Sequence, residues 1–489
     1  MGTFNMKNRT SWTRHFVLAL SLAFLSSACD GFSLREIPST DSSSSVTPAP
    51  SPYLKGLIDT TFPQNNLDLG GTDEYATAID IQADGKVVVG GYTDFNGNDT
   101  DFLIMRLNMN GTLDTTFAGV GYKLIDGGGN ETLKGIKVKP NGKIIAVGSS
   151  DLAGDIFVAQ LLPNGNLDTT FNPTGSTPGT LMLDLGGTDE EAGGVDVLAN
   201  NSAILAGHSD VSGVVRAQVI SLLDDGTLNP AFGAGASGIE ALNFGETDDT
   251  ANALKIQTNG SIVVVGSSHG AATRAAIARL QSDGSVDATF GGGTKIFSIG
   301  GIANQLSAVT VSGTDIYACG ASRTGAATFH SSILKVSANG SLDTTFNTTG
   351  FLIDSISTTV DRCSSIQLDT ASNIITVGEA IVDPTLYTYN SFFRQFENLF
   401  FALTNLIVPA AKAFTVTPTD LYVASHLQDG TLADPFGAVN FHGIFVRDLS
   451  GGLMPNEGDA AVFDSSGKLY VTGSLLNGSD EDIGTILLK

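Results

Sequence analysis

Positive charge is scarce in this sequence. Its 489 residues carry 25 Lys plus Arg against 50 Asp plus Glu, a formal net charge of −25. A surface this acidic repels phosphate, which argues strongly against nucleic acid as a partner. Charged residues of both signs make up only 15% of the chain, well below the usual quarter. One Trp, six His and three Cys leave little material for a metal or redox centre. The apolar run Phe16 to Leu25 holds ten residues and is too short to span a bilayer. What the chain has is 42% hydrophobic residues and 58 Gly. That is enough apolar material for a core and excludes a disordered chain.

The N-terminus reads as an export signal. Lys7, Arg9, Arg14 and His15 precede Phe16 to Leu25, and small Ser26, Ser27 and Ala28 lead to Cys29. That order is positive, apolar, then small. The position of Cys29 resembles a bacterial lipobox, which implies that this Cys carries a lipid. The match is incomplete, because Ser26 stands where a Leu is usual and Leu25 lies one place further back. Residues 1–29 are read as a lipoprotein-type signal, with plain secretion as the alternative. Residues 30–55 are a Ser/Pro-rich tether without period.

The motif G-x-L-D-x-T-F then recurs seven times, ending at Phe62, Phe117, Phe171, Phe232, Phe290, Phe346 and Phe436. Successive gaps are 55, 54, 61, 58, 56 and 90 residues. A period of this size is the signature of a solenoid or a propeller. Each interior repeats as well. In the first, Ala76 to Ile81 alternates apolar and polar residues, Asp84-Gly85 turns, Val87 to Gly91 follows, and Phe102 to Leu107 comes after a polar loop. A fourth short apolar stretch, Tyr122 to Ile125, comes after the motif Phe. These are short β-branched runs bounded by Gly, Asn and Asp turns. Four strands in each of seven repeats predict an all-β chain, a seven-bladed β-propeller over residues 56–489. The alternating strand is expected innermost. A first motif stands before any blade interior, and the last repeat lacks a fourth strand. Ring closure is therefore expected from Leu67 to Leu69 pairing with Ile486 to Leu488.

One glycine recurs in the second strand: Gly91, Gly148, Gly207, Gly266, Gly320, Gly378 and Gly473. Glycine weakens a strand unless something needs close approach, and close packing between neighbouring blades is the expected reason. The repeat is similar to the delta-60 repeat of bacterial β-propeller proteins. The resemblance rests on Asp84-Gly85-Lys86 through Gly91, Asp101 to Leu107 and Asn110 to Phe117. It implies the fold and no catalytic residue. Ala433 departs from the motif Asp, and the sixth repeat carries an insertion at about 381–418.

Chemistry-bearing patterns are few. Asp94, Asn96, Asn98 and Asp101 place oxygens at intervals in one loop, as calcium loops do. Calcium is the one cofactor this chemistry admits, against an ordinary Asx-rich loop. Acidic residues at the starts of the inner strands and after the glycine strands share one face of the ring. Read structurally, they form a solvated rim; read functionally, they form a loop-built binding surface. The opposite face holds the uniform hairpins and the motif Asp, expected to cap its own turn. His208, His269 and His330 lack partners at metal spacing. Cys319 and Cys363 sit at apolar strand positions. An exported context permits a bond between them, but buried free thiols are the default expectation. In the insertion, Phe392, Phe393, Phe396, Phe400 and Leu403 recur at helical spacing and predict a helix over 391–406. Its apolar stripe either covers the chain's own surface or contacts a partner or membrane.

The sequence thus predicts an exported, lipid-anchored propeller. It would be a non-catalytic binding or scaffold module at a bacterial envelope, periplasmic or on the cell surface. Its partners would be an envelope protein or polysaccharide, and the membrane through the anchor. The alternative is a hydrolase or lyase acting on envelope polysaccharide through carboxylates of the acidic face.

Overall fold

A computed structural model describes residues 65–67, 73–94, 99–326, 328–355, 360–381, 419–431, 444–447, 459–477 and 480–488. The insertion, with the helix expected over 391–406, and the signal and tether lie outside them. All described regular structure is β. Twenty-eight strands form seven four-stranded antiparallel sheets, which are the blades. Blade one comprises Glu74–Ile81, Val87–Thr93, Asp101–Leu107 and Tyr122–Ile125, paired in that order. Blades two to six repeat the scheme. In blade six the second strand ends at Ile381 and the third begins at Thr419, so the insertion joins these two strands.

The seventh blade is built from both ends of the chain. Its strands Ala460–Phe463, Leu469–Asn477 and Asp480–Leu488 are completed by Asn65–Leu67. The register pairs Asn65 with Thr485 and Leu67 with Ile483. Closure by the N-terminal strand holds. The pairing sits nearer the start of both strands than the expected match of Leu67 to Leu69 with Ile486 to Leu488. The closing strand has only three residues, so it covers just the middle of its nine-residue partner, Ile483 to Thr485.

The alternating strand is innermost, as expected, and first strands of neighbouring blades adjoin around the ring. Thr77 Oγ1 donates to the Leu133 carbonyl of the next blade at 2.7 Å, and Asn252 Nδ2 to that of Leu306 at the same distance. Seven apolar layers fill the seven gaps between blades. The motif phenylalanines Phe117, Phe171, Phe232, Phe290 and Phe346 each enter one of them fully buried. Each such burial is worth roughly 2–3 kcal/mol. The layer between blades seven and one combines Tyr470, Ile483 and Leu487 with Ala76, Ile79 and Val89. The closing junction is therefore packed like the others.

The recurring glycine has a different cause from the one expected. In blades one to six the inner strand carries a β-bulge directly opposite it, for example between Ala76 and Ala78 facing Gly91. The bulge pushes a carbonyl at the neighbouring strand of the same blade. A Cβ at Gly148, Gly266 or Gly320 would stand 2.0, 1.9 or 2.0 Å from the oxygen of Thr132, Thr250 or Gln305. The close approach lies within the blade, between strands one and two, and not between blades.

Cys319 and Cys363 form a disulfide, Cα–Cα 5.8 Å, which corrects the free-thiol expectation. It links the second strand of blade five to the innermost strand of blade six. Linear spacing could not show that neighbouring blades bring these two strand positions face to face. No helix among the described residues is long and apolar enough to cross a membrane.

Candidate functional site

The two ends of the ring differ chemically. One end carries the hairpins and L-D-x-T-F segments, and the motif acids among its described residues are engaged. Asp114 Oδ1 accepts from the Thr116 N–H at 3.1 Å and the Thr116 hydroxyl at 2.6 Å, the turn cap the motif predicts. Asp114 Oδ2 accepts from Lys86 Nζ and Arg106 Nε, each at 2.8 Å. Burial opposes ionisation of Asp114, but the bonds from Lys86 and Thr116 outweigh it and hold the carboxyl well below the usual range. The same balance holds at Asp168 with Lys143. Lys335 and Thr345 lower Asp343 to about 2. These cations were legible as D-G-K and third-strand positions, but their convergence on the motif Asp was not.

At the opposite end the acids expected to form a rim divide into two kinds. Some clasp loops. Asp94 Oδ1 accepts the Asp73 N–H at 2.8 Å, and Asp151 accepts the Asn130 N–H at 2.7 Å and its amide at 2.6 Å. Others open the innermost strands and are buried: Glu74, Glu131, Glu190, Asp249 and Asp361. Glu131 accepts from the Gly127 and Gly129 N–H groups at 2.9 and 3.1 Å and from Ser150 Oγ at 2.7 Å. Asp249 accepts from the Phe244 N–H at 2.9 Å and Ser268 Oγ at 2.6 Å.

At two neighbouring junctions these strand-opening acids meet further carboxylates. Between blades one and two, Asp101, Asp126 and Glu131 bring oxygens within 4.8 Å of one another. Between blades two and three, Asp155, Asp184 and Glu190 do the same. The positions correspond: the first acid opens a third strand, the second follows a fourth strand, and the third opens the next innermost strand. Asp126 and Asp184 are exposed, whereas Asp101, Glu131 and Glu190 are buried. Burial first, then the charges of Asp126, Asp99 and Glu131, push Asp101 up to about 6. Burial also raises Glu131 and Glu190, and Asp155 adds to the effect at Glu190. The buried Asp101 Oδ1 and Glu190 Oε2 accept no hydrogen bond among the described residues.

The calcium loop read from sequence is only partly within view. Asn96 and Asn98 lie outside the described residues. Asp94 is taken up by Asp73, and Asp101 faces Asp126 and Glu131 instead. Asp126 and Asp184 were missed, because each lies 25 or more residues from its third-strand partner and neither stands in a local motif of ligand spacing. A repeat-aware reading would have found them. The octet LDLGGTDE occurs at 67–74 and 183–190, and its shortened form IDGGGNE at 125–131. His330 bonds Asp361 at 3.1 Å, and no described His joins either carboxylate group. Phe392, Phe393, Phe396, Phe400 and Leu403 lie outside the described residues, as does Cys29.

Three stretches of the chain match a family model. They are residues 82–117, 139–171 and 257–290, and the model is the DUF5122 beta-propeller, a domain of unknown function. Each runs from the hairpin before the glycine strand to the motif Phe, so the match supports a β-propeller family. Among curated proteins none matches the chain. Several solved structures are similar. An inactive variant of virginiamycin B lyase from Staphylococcus aureus, solved with quinupristin, is 12% identical over 87% of this chain and 99% of its own, TM-score 0.46. The polysaccharide lyase Uly1 is 12% identical over 90% and 94%, TM-score 0.43. The beta-propeller domain of the trilobed protease from Pyrococcus furiosus is 10% identical over 84% and 95%, TM-score 0.38.

Proposed function

We propose that this chain is an exported, lipid-anchored propeller of the delta-60 repeat type, serving as a non-catalytic binding or scaffold module at a bacterial envelope. The observation that carries the reading is the buried Cys319–Cys363 bond. Disulfides persist in oxidising compartments, which agrees with the signal-like order ending at Cys29. The asymmetry of the ring supports the binding role. One end is locked by uniform capped turns and ion pairs. The other carries loops of varying length on a rigid frame, the usual place for recognition. The partner is an envelope protein or polysaccharide, and the apolar residues Phe392, Phe393, Phe396, Phe400 and Leu403 of the insertion are the candidates for contact with it. The test is fractionation of cells producing the wild type and Cys29→Ser. Wild type in the membrane fraction and the variant in the soluble exported fraction is the expected result. A variant retained in the membrane at the wild-type level removes the anchor from this reading.

A second reading, a hydrolase or lyase on envelope polysaccharide, draws on Asp101, whose carboxyl is raised to about 6. Perturbed acids concentrate at catalytic sites as well as structural ones. Depolymerisation of envelope polysaccharide by wild type and its loss in Asp101→Asn would support it. Intact polysaccharide after prolonged incubation would dismiss it.

A further inference from the structure

We propose that Asp101, Asp126 and Glu131, and separately Asp155, Asp184 and Glu190, are two equivalent calcium sites that clasp blade one to blade two and blade two to blade three. The inference stands on geometry and does not depend on the export reading.

Three carboxylates around one point require a counter-charge, because like charges at such distances cannot all remain ionised without one. Elsewhere in the ring the corresponding positions hold fewer carboxylates. The strand register places Asp101 opposite Thr93 and Asp155 opposite Ser150, and the same place in blades three, four and five holds Arg216, Arg274 and His330. The third-acid position, Glu131 and Glu190 in the first two junctions, continues as Asp249, Asn304 and Asp361. At the junction of blades five and six, His330 Nδ1 meets Asp361 Oδ2 at 3.1 Å, and Ser355 at the place of Asp126 bonds the same imidazole at 3.2 Å. There an imidazole and a hydroxyl, not two further carboxylates, face the buried acid. At the first two junctions a carboxylate stands in that place, so the positive charge must come from outside the chain.

The details fit a hard divalent ion. All six side chains offer oxygen only. Oxygens sharing one Ca²⁺ at about 2.4 Å lie at most about 4.8 Å apart, and in each set the three oxygens lie within that span of one another. Asp101 Oδ1 and Glu190 Oε2 are buried without hydrogen bonds, and a metal supplies the partner that such atoms otherwise lack. The exposed Asp126 and Asp184 leave an open side for entry and for water ligands. An irregular set of three carboxylates completed by water suits Ca²⁺, which tolerates varied geometry, better than the strictly octahedral Mg²⁺.

The experiment is calorimetric titration of CaCl₂ into metal-free full-length protein, paired with thermal melts in EDTA, Ca²⁺ and Mg²⁺. At least two ions are expected, one for each site among the described residues. With the affinity of extracellular calcium modules, 10 mM Ca²⁺ should shift the folding equilibrium about ten- to hundredfold per site. Asp126→Asn and Asp184→Asn change exposed residues, and each should remove one site. The double variant should remove both while melting in EDTA no lower than wild type. Asp101→Asn should melt higher than wild type in EDTA, because it removes a repulsive buried charge. Absence of Ca²⁺ binding overturns the proposal. So does an equal response to Mg²⁺, or full binding retained in the double variant. Titration of the Asp101 carboxyl near pH 6 unaffected by Ca²⁺ would assign a shared proton in place of the ion.

Discussion

Gly91 faces the carbonyl oxygen of Tyr75 so closely that a Cβ on it would stand 1.7 Å from that oxygen. The contact is backbone against side chain, so no rotamer relieves it. Gly91→Ala should therefore lower stability by about 3 kcal/mol, read from urea unfolding. Gly194→Ala is the control, since its Cβ would meet nothing nearer than 3.5 Å. It should be neutral or stabilising by about 0.5 kcal/mol. Equal losses at both positions would mean that the bulge does not set the requirement.

The Cys319–Cys363 bridge closes a separation of 44 residues between adjacent blades. Constraining a loop of that size in the unfolded chain is worth about 2–4 kcal/mol. The double variant Cys319→Ala with Cys363→Ala should lose that much in denaturant unfolding. Wild type in reductant should match it. No difference between oxidised and reduced protein would show that the bond adds nothing to stability.

Two groups of acids give opposite pH dependences. Asp343, lowered to about 2 by Lys335 and Thr345, stabilises the fold above its unfolded pKa near 4. That contribution fades as pH falls from about 4 through 2. Asp101, raised to about 6 from 3.8 by burial and by the charges of Asp126, Asp99 and Glu131, acts the other way. Its folded form binds the proton more tightly, so metal-free stability should fall as pH rises through 4 to 6. Melting in EDTA should thus peak near pH 4, where the first contribution is complete and the second begins to fade. In Asp101→Asn the decline between pH 4 and 6 should flatten. An unchanged profile in that variant would mean another group governs it.

Deleting residues 56–70 removes the strand Asn65–Leu67 that completes the last blade on Ile483 to Thr485. An open ring exposes a blade edge and loosens the layer between Tyr470 and Ala76. The deletion should lower the melting temperature of the whole propeller in one transition. A wild-type melting temperature, or a separate minor transition, would mean that the closing strand only decorates the blade.

Much of the architecture was legible because it is local and periodic. The strand spacing, the Asp-Gly turns and the recurring motif Phe each repeat in a fixed frame, so seven blades and their order along the chain follow from counting. The extra opening motif even implied where the ring closes, although the register slipped because the closing strand has only three residues. The Asp114 cap was also readable, since Asp and Thr lie two positions apart. The recurring glycine was visible but its reason was not. The bulge at Thr77 that creates the need is a backbone irregularity with no residue signature.

The sequence by itself determined the repeat unit, the number of blades, the acidic surface and the positions of the chain's cysteines. These depend on residue type and spacing along the chain. Only the tertiary structure decided which residues meet within a blade and across its junctions. Cys319 reaches Cys363, Lys86 and Arg106 converge on Asp114, and Asp101 comes to share space with Asp126 and Glu131. In each case the partners lie on different strands or in the turns between them, and strand pairing or blade packing brings them together. Burial then shapes their chemistry: bonds from Lys86 and Thr116 hold the Asp114 carboxyl down against it, whereas burial and neighbouring carboxylates push Asp101 up.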